Sequence, residues 1–510
     1  MNDSLLLYNG TFYRFGTEPA YRWLWVRGGI ICDAGFGSGY YKYRAQAGES
    51  LDLKGNLALP GFCDCRVHMV QTALKNREVD LHGADSFEEV GRRIRSWMQA
   101  HPRAGLVRAY GLEVSDLKEK RLPDRRAIDR MVRECPVWIS SRDFHRSMLN
   151  TKALYELNVP LAVNGVETDG EQHPTGILQG TANALVRSRI FRECSDEDKS
   201  RALEQLAQDM IRKGITSVHA MEGGWGFAES DARLLWACAP GLPVDVSLYF
   251  GTMQPLQAKE MGLARIGGDI FVDGSFASRN AALAEPYSDS DHSGQLNYAQ
   301  EELNAFLLQC YQSGLRTALH AVGERAMEQV LAAHQYAREA TGIFGMRHRV
   351  EHAELCTTDQ MRRAKALGLI FSMQPACEIL YGGRDGMYAA RLGARAQRTN
   401  PLRKIIDSGI TICGGSDSDL TPLDPIGGIY AAVCHPQPES AVSVEEAVRM
   451  FTLNGAYAEE EEGKKGQLEV GMRADIAVLD RNIFQIAAAD IAGARTVATV
   501  KDGVVLFEAL

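Results

Sequence analysis

Apolar and polar residues alternate along the first fifty-odd positions (Leu5 to Tyr8, Trp23 to Val26, Ile30 to Cys32), and Gly28-Gly29 and Gly35 to Gly39 interrupt them. Period-two alternation broken by glycine predicts short strands joined by hairpins. The last forty residues repeat the pattern in Ala474 to Leu479 and Thr499 to Leu506, with Asp502-Gly503 as a hairpin turn. Strands at both ends around a long middle predict one β-domain built from residues 1–56 and 456–510.

The middle, residues 57–455, changes period. Short apolar runs (Leu57 to Cys63, Val137 to Ser140, Thr216 to His219, Thr317 to His320, Leu369 to Met373, Ile410 to Gly415) are separated by amphipathic stretches. The helices this predicts are Ser195 to Lys213, Gln300 to Ser313, Glu324 to Ala340 and Thr358 to Leu367. Strand and helix alternating in this way predict a parallel α/β architecture. A doubly wound sheet would fit the same period, but no G-x-G-x-x-G follows a strand. His, Asp and Glu instead follow several apolar runs, where a barrel builds its active site, so a (β/α)8 barrel is the expected fold.

Composition narrows the function. The 510 residues are 45% hydrophobic and 24% charged with a net charge of -9, an ordinary globular balance. A net negative chain with scattered basic residues has no footprint for nucleic acid or an anionic membrane. No apolar run approaches a membrane span, and the start lacks a secretory pattern. Eleven cysteines without framework spacing suggest reduced thiols and a cytoplasmic location. Large barrels often pair, so a homodimer is the candidate assembly.

The polar residues after the apolar runs are Arg66 and His68, then His219, Asp269 and Asp273, His320, His348 and His352, and Asp417. Each histidine alone is more often structural. Several at separate strand ends, with a terminal Asp, supply the nitrogen and oxygen donors that zinc or another borderline ion prefers.

The stretch LALPGFCDCRVH resembles the LPGFxDxHxH opening of the amidohydrolases. DGSFASRNAALAEPYSD, LHAVGERA, RVEHAEL, SMQPAC and GGSDSDLTPLDPIGGIYAAV resemble the YtcJ-like branch of amidohydrolase family 3, which includes N-substituted formamide deformylases. The resemblance covers nearly the whole chain. It implies a TIM barrel with a terminal β-sandwich, an inserted segment near residues 75–205, and metal-assisted hydrolysis of a carbon–nitrogen bond in a small molecule. Carried over residue by residue, it implies His68 and Asp417 at a first (α) ion, with Asp417 as general base. His320 and His352 match the ligands of a second (β) ion, and His219 and His145 fall near the substrate.

The chain departs from that pattern. Arg66 stands where the opening pair has its first histidine, and a guanidinium has no lone pair to donate. Asp269 stands at the position of a carbamylated lysine that bridges two ions, and Cys377 replaces the histidine of QPxH. These changes argue against a two-ion centre. They lead to the expectation of one divalent ion, zinc, on His320, His352 and Asp269, with Arg66 binding an anionic substrate group. The alternatives are a non-hydrolytic or metal-free enzyme of isomerase or lyase type, or an inactive homologue acting as a binding protein. Cys377 is expected in the pocket wall. Cys63 and Cys65, alternating with Arg66 and His68, are expected against the outer helices.

Overall fold

The computed structural model describes the chain outside residues 1–2, 76–77, 103–104, 115, 143–145, 161, 193 and 225–227. Eight parallel strands form the barrel: β1 (Phe62–Val67), β2 (Ile215–Gly223), β3 (Asp245–Gly251), β4 (Arg265–Phe271), β5 (Arg316–Ala321), β6 (Arg349–His352), β7 (Ile370–Met373) and β8 (Ile412–Gly414). They neighbour one another in sequence order, as successive β/α units require. Closure comes just past the ends of β1 and β8. Asp417 N donates to the Arg66 carbonyl at 2.8 Å, and His68 N donates to the Ser418 carbonyl at 2.7 Å. The mouth of the barrel is thereby stitched at Arg66, His68 and Asp417.

The helices expected between these strands form at Asp196–Arg212, Gln300–Gln312, Glu324–Thr341 and Thr358–Leu367. The last shows why local sequence is sufficient for it. Thr357 Oγ1 accepts from Gln360 N, and Gln360 Oε1 accepts from Thr357 N, a reciprocal cap. Gly368 then ends the helix at φ 73°, a conformation that costs an L side chain.

Two runs read as barrel strands belong elsewhere. Leu57 to Cys63 divides at Gly61, and its first half, Leu57–Pro60, pairs antiparallel with Ile476–Leu479 of the C-terminal segment. Val137–Ser141 lies in a separate six-stranded sheet. The strand β3 has no counterpart among the apolar runs, because its first three residues (Asp245, Val246 and Ser247) are only partly buried.

The two ends of the chain build one eight-stranded sheet, in which Ser4–Phe12 pairs with Tyr21–Arg27, Glu49–Asp52 and Leu57–Pro60. Its last hairpin joins Thr496–Lys501 to Val504–Glu508 through Asp502 (φ 50°) and Gly503 (φ 75°). Two successive left-handed residues make the turn whose twist matches a hairpin.

The chain divides into two compact units. One comprises Met1–Thr72, Leu203–Trp225 and Glu229–Leu510; the other is Ala73–Ala202 with residues 226–228. The second unit's sheet runs from Val79–Asp80 through Val107–Leu112 and Val137–Ser141 to Arg146–Leu149, Pro174–Gln179 and Val166–Thr168. Its core includes Val90, Ile94, Val107, Ile128 and Ile139. Among the described residues no helix is long and apolar enough to cross a membrane.

Candidate active site

Closure of the barrel sets Arg66 beside Asp417. Arg66 Nε donates to Asp417 Oδ1 at 2.6 Å, Nη2 to Asp269 Oδ1 at 3.1 Å, and Nη1 to the Gly268 carbonyl at 3.2 Å. Glu351 Oε2 is 3.5 Å from Nη1. Arg66 is 1% exposed, so its guanidinium is spent on the protein's own acceptors. Arg66, expected to grip a substrate anion, is here drawn inward by three carboxylates.

His68 is committed in the same way. Its Nδ1 lies 3.0 Å from the Met221 carbonyl and 3.4 Å from Asp269 Oδ2, and its Nε2 lies 3.1 Å from Asp417 Oδ1. A carbonyl and a carboxylate only accept, so both ring nitrogens carry protons and His68 is an imidazolium. Burial opposes that charge, but Asp269 and Asp417 outweigh it and hold the ring well above its ordinary range. His68 therefore has no lone pair for an ion in this arrangement, contrary to the role implied for it. Burial would raise the Asp417 carboxyl, yet Arg66 and His68 together hold it well below the usual range.

His320 and His352 differ. They end β5 and β6, with rings 4.4 Å apart at 67°. His320 Nε2 faces the Gly274 carbonyl at 3.1 Å, while its Nδ1 is buried without a hydrogen-bond partner. His352 Nε2 is likewise buried without one, 4.0 Å from Asp417 Oδ2. Burial, with Arg66 nearby, pushes His352 down to about 3 and His320 well below its ordinary value, so both rings stay neutral with a lone pair available. His352 (φ 72°) and Asp417 (φ 52°) adopt left-handed backbone, a local cost often found at functional strand ends.

The remaining expected residues divide. Asp269, expected as a ligand beside the two histidines, is seated against Arg66 and His68. Cys377 is buried, and burial pushes its thiol well up, so it is a neutral group rather than a nucleophile or soft ligand. His219, expected near the substrate, is 1% exposed and bonded to Arg349. His145 lies outside the described residues.

Three further residues shape the site. Arg349 Nε and Nη2 donate to Glu351 at 2.9 and 3.1 Å, which holds Glu351 toward Arg66. Asp273 accepts from Ala282 N, Val322 N and Gly323 N at 2.8 to 3.0 Å, fixing the segment that presents the Gly274 carbonyl to His320. The spacing Arg349-x-Glu351 within RVEH was a usable signal, since i and i+2 on a strand share a face.

The amidohydrolase family matches residues 49–507. The chain belongs to the amidohydrolase family. It is 26% identical over 517 residues to the N-substituted formamide deformylase of Arthrobacter pascens, covering 95% of this chain and 94% of the relative. The putative amidohydrolase YtcJ of Bacillus subtilis is 25% identical, with 96% of each chain covered. An uncharacterized metal-dependent hydrolase from Pyrococcus furiosus superposes with a TM-score of 0.79 at 28% identity, covering 94% of this chain and 100% of that one. These amidohydrolase relatives support a hydrolase that uses a metal. Two of this chain's residues fit one: His320 and His352 keep lone pairs, whereas Arg66 and protonated His68 would repel a cation at their position.

Proposed function

We propose that the chain hydrolyses an amide-like carbon–nitrogen bond in a small organic molecule, with a single divalent ion on His320 and His352. The observation that carries this reading is the pair of buried ring nitrogens, His320 Nδ1 and His352 Nε2, that have no hydrogen-bond partner among the described residues. Asp417 Oδ2, 4.0 Å from His352 Nε2, lies beside the pair as a carboxylate base, and an ion on two imidazoles keeps positions open for water and substrate. The similarity to a formamide deformylase supports the amide-like bond. All eleven cysteines are free thiols, which suits a cytoplasmic setting.

When bound, such an ion polarises a carbonyl and acidifies water. The chain's own groups supply the rest. Asp417 accepts the proton of the attacking water and returns it to the departing nitrogen. The accepting oxygen is Oδ2, because Oδ1 already takes bonds from Arg66 and His68. Arg66 acts as a fixed counterion that keeps Asp417 ionised and aimed. Asp269 and Glu351 hold Arg66 in turn.

A second reading rests on charge balance. Asp417, Asp269 and Glu351 are matched by Arg66, Arg349 and protonated His68 without any ion. That balance favours a proton-transfer enzyme of isomerase or lyase type, in which Asp417 and His68 move the proton.

Elemental analysis of untagged protein tests the first reading against the second. The double variant His320→Ala/His352→Ala should hold one ion per chain fewer than the parent and lose hydrolysis of a panel of N-substituted amides. An unchanged ion content in that variant overturns the ligand assignment. Activity that survives removal of the ion favours the second reading.

A further inference from the structure

The barrel's interior continues below Arg66 as a chain of buried polar groups. Glu351 passes to Arg349, whose Nη1 donates to His219 Nδ1 at 2.7 Å and whose Nη2 donates to the Cys65 carbonyl at 2.7 Å. Cys63 and Cys65 border this chain while packing, as expected, against a helix, Leu453–Ala458, where a Cβ at Gly455 would meet both sulfurs. The pairing of β1 with β2 shifts register between Ile215 and Ser217 and again between Val218 and Ala220, so strict alternation fails along β1.

Cys63 Sγ is 3.7 Å from Cys65 Sγ and 3.5 Å from His219 Nε2. These are the one trio of His, Cys, Asp or Glu donor atoms among the described residues lying within 4.8 Å of one another. A zinc ion about 2.3 Å from sulfur and about 2.0–2.1 Å from nitrogen, in tetrahedral geometry, sets S···S at about 3.8 Å and S···N at about 3.5 Å. Cys63 already stands at those separations from Cys65 and from His219, and Cys65 lies within 4.8 Å of the ring nitrogen. Glu459 Oε1 is 3.3 Å from His219 Nε2, close to the O···N separation of the same tetrahedron, about 3.4 Å.

The surroundings suit an ion. Cys63, His219, Ser247, Glu459 and Lys465 line a small enclosed cavity with room for one water-sized species. Ser247 and Lys465 also line an open cleft of about 880 Å³. Arg349 and Lys465 beside the trio, and Arg265 paired with Glu459, offset the negative charge of thiolate ligands.

We propose that Cys63, Cys65 and His219 form a second cation site, for a thiophilic ion such as zinc, separate from the His320–His352 pair and independent of the function proposed above. Arg349 can only donate, so His219 accepts at Nδ1 and carries its proton on Nε2, toward Cys63 and Glu459. Binding a divalent ion therefore releases the two thiol protons to solvent and moves the ring proton from Nε2 to Nδ1 as Arg349 Nη1 turns from that nitrogen. It leaves two thiolates and a neutral imidazole as ligands. The bound ion ties β1, which carries Arg66 and His68, to β2.

The test uses the full-length His320→Ala/His352→Ala protein, reduced, titrated with cobalt(II). A thiolate-to-cobalt charge-transfer band should saturate at one ion per chain and disappear when zinc is added. Cys63→Ser and Cys65→Ser should each abolish the band. His219→Ala should weaken binding at least about 10-fold, the lower end for loss of a metal-site partner. Cys310→Ser, a buried thiol elsewhere, should leave the band intact. Absence of the band, its persistence in both Cys63→Ser and Cys65→Ser, unweakened binding in His219→Ala, or its loss in Cys377→Ser overturns the site. If the serine variants do not fold, zinc should slow alkylation of Cys63 and Cys65 in the same double-alanine protein, mapped by mass spectrometry. Unslowed alkylation of both overturns it equally.

Discussion

Arg66 Nε and Asp417 Oδ1, 351 positions apart in the chain, meet at 2.6 Å where the first and last barrel strands close. The contact is buried on both sides, with side-chain exposures of 2% and 7%. A charge-assisted bond in such a place is strong, and each partner depends on the other to remain charged.

Removing Arg66 should therefore cost stability as well as activity. Arg66→Ala leaves Asp417, Asp269 and Glu351 buried without their shared cation, a change worth about 3–5 kcal/mol. Urea unfolding of parent and variant checks this. A loss below about 1 kcal/mol would mean that water or a rearranged His68 takes over the guanidinium's role.

Asp269→Asn should separate positioning from ligation. The carboxylate pairs with Arg66 and His68, so the variant should keep the parent's ion content while losing about 1–3 kcal/mol of stability. Metal analysis beside urea unfolding reads both. A variant that loses its ion would put Asp269 back among the ligands.

Asp273→Ala exposes a different dependence. Three buried backbone N–H groups, from Ala282, Val322 and Gly323, would lose their common acceptor. Each orphaned donor costs about 1–3 kcal/mol, so the expected loss is several kcal/mol. Activity should fall further than in Asp273→Asn, which retains one accepting oxygen. Equal activity in the two variants would argue that the Gly274 carbonyl does not depend on this anchor.

Glu222 gives a prediction in pH. Its carboxyl is fully buried, accepts from Val70 N at 2.9 Å, and is pushed by burial up to about 8. An unfolded glutamate titrates near 4.3, so between that value and about 8 the native state holds a proton that the unfolded chain has lost. Native stability contributed by this group is then highest below about pH 4.3 and declines toward pH 8, on the order of 5 kcal/mol over the window. Glu222→Gln should flatten that part of the profile of urea midpoint against pH. An unchanged slope would show that another group carries it.

Much of the site was legible in the order of residues. Arg66 lacks a lone pair wherever it sits, so the loss of a ligand could be read before any coordinates. His320, His352 and Asp417 follow apolar runs, and a barrel gathers such positions at one end whatever the loops do. The cap and stop around Thr358–Leu367 are local, formed by residues three or fewer apart, and local signals survive in a linear reading.

Other features depend on contacts that no local pattern encodes. That Arg66 faces inward to Asp269, Glu351 and the Gly268 carbonyl follows from burial across three strands. That Leu57–Pro60 leaves the barrel for the terminal sheet depends on a partner, Ile476–Leu479, more than four hundred residues away. The position of Cys63 and Cys65 against His219 follows from two register shifts between β1 and β2, and period-two alternation has no way to express them. Residue chemistry by itself determined which groups can donate, accept or hold charge. The tertiary structure decided which of them are spent on each other, because that choice is made by long-range packing and by the low-dielectric interior that packing creates.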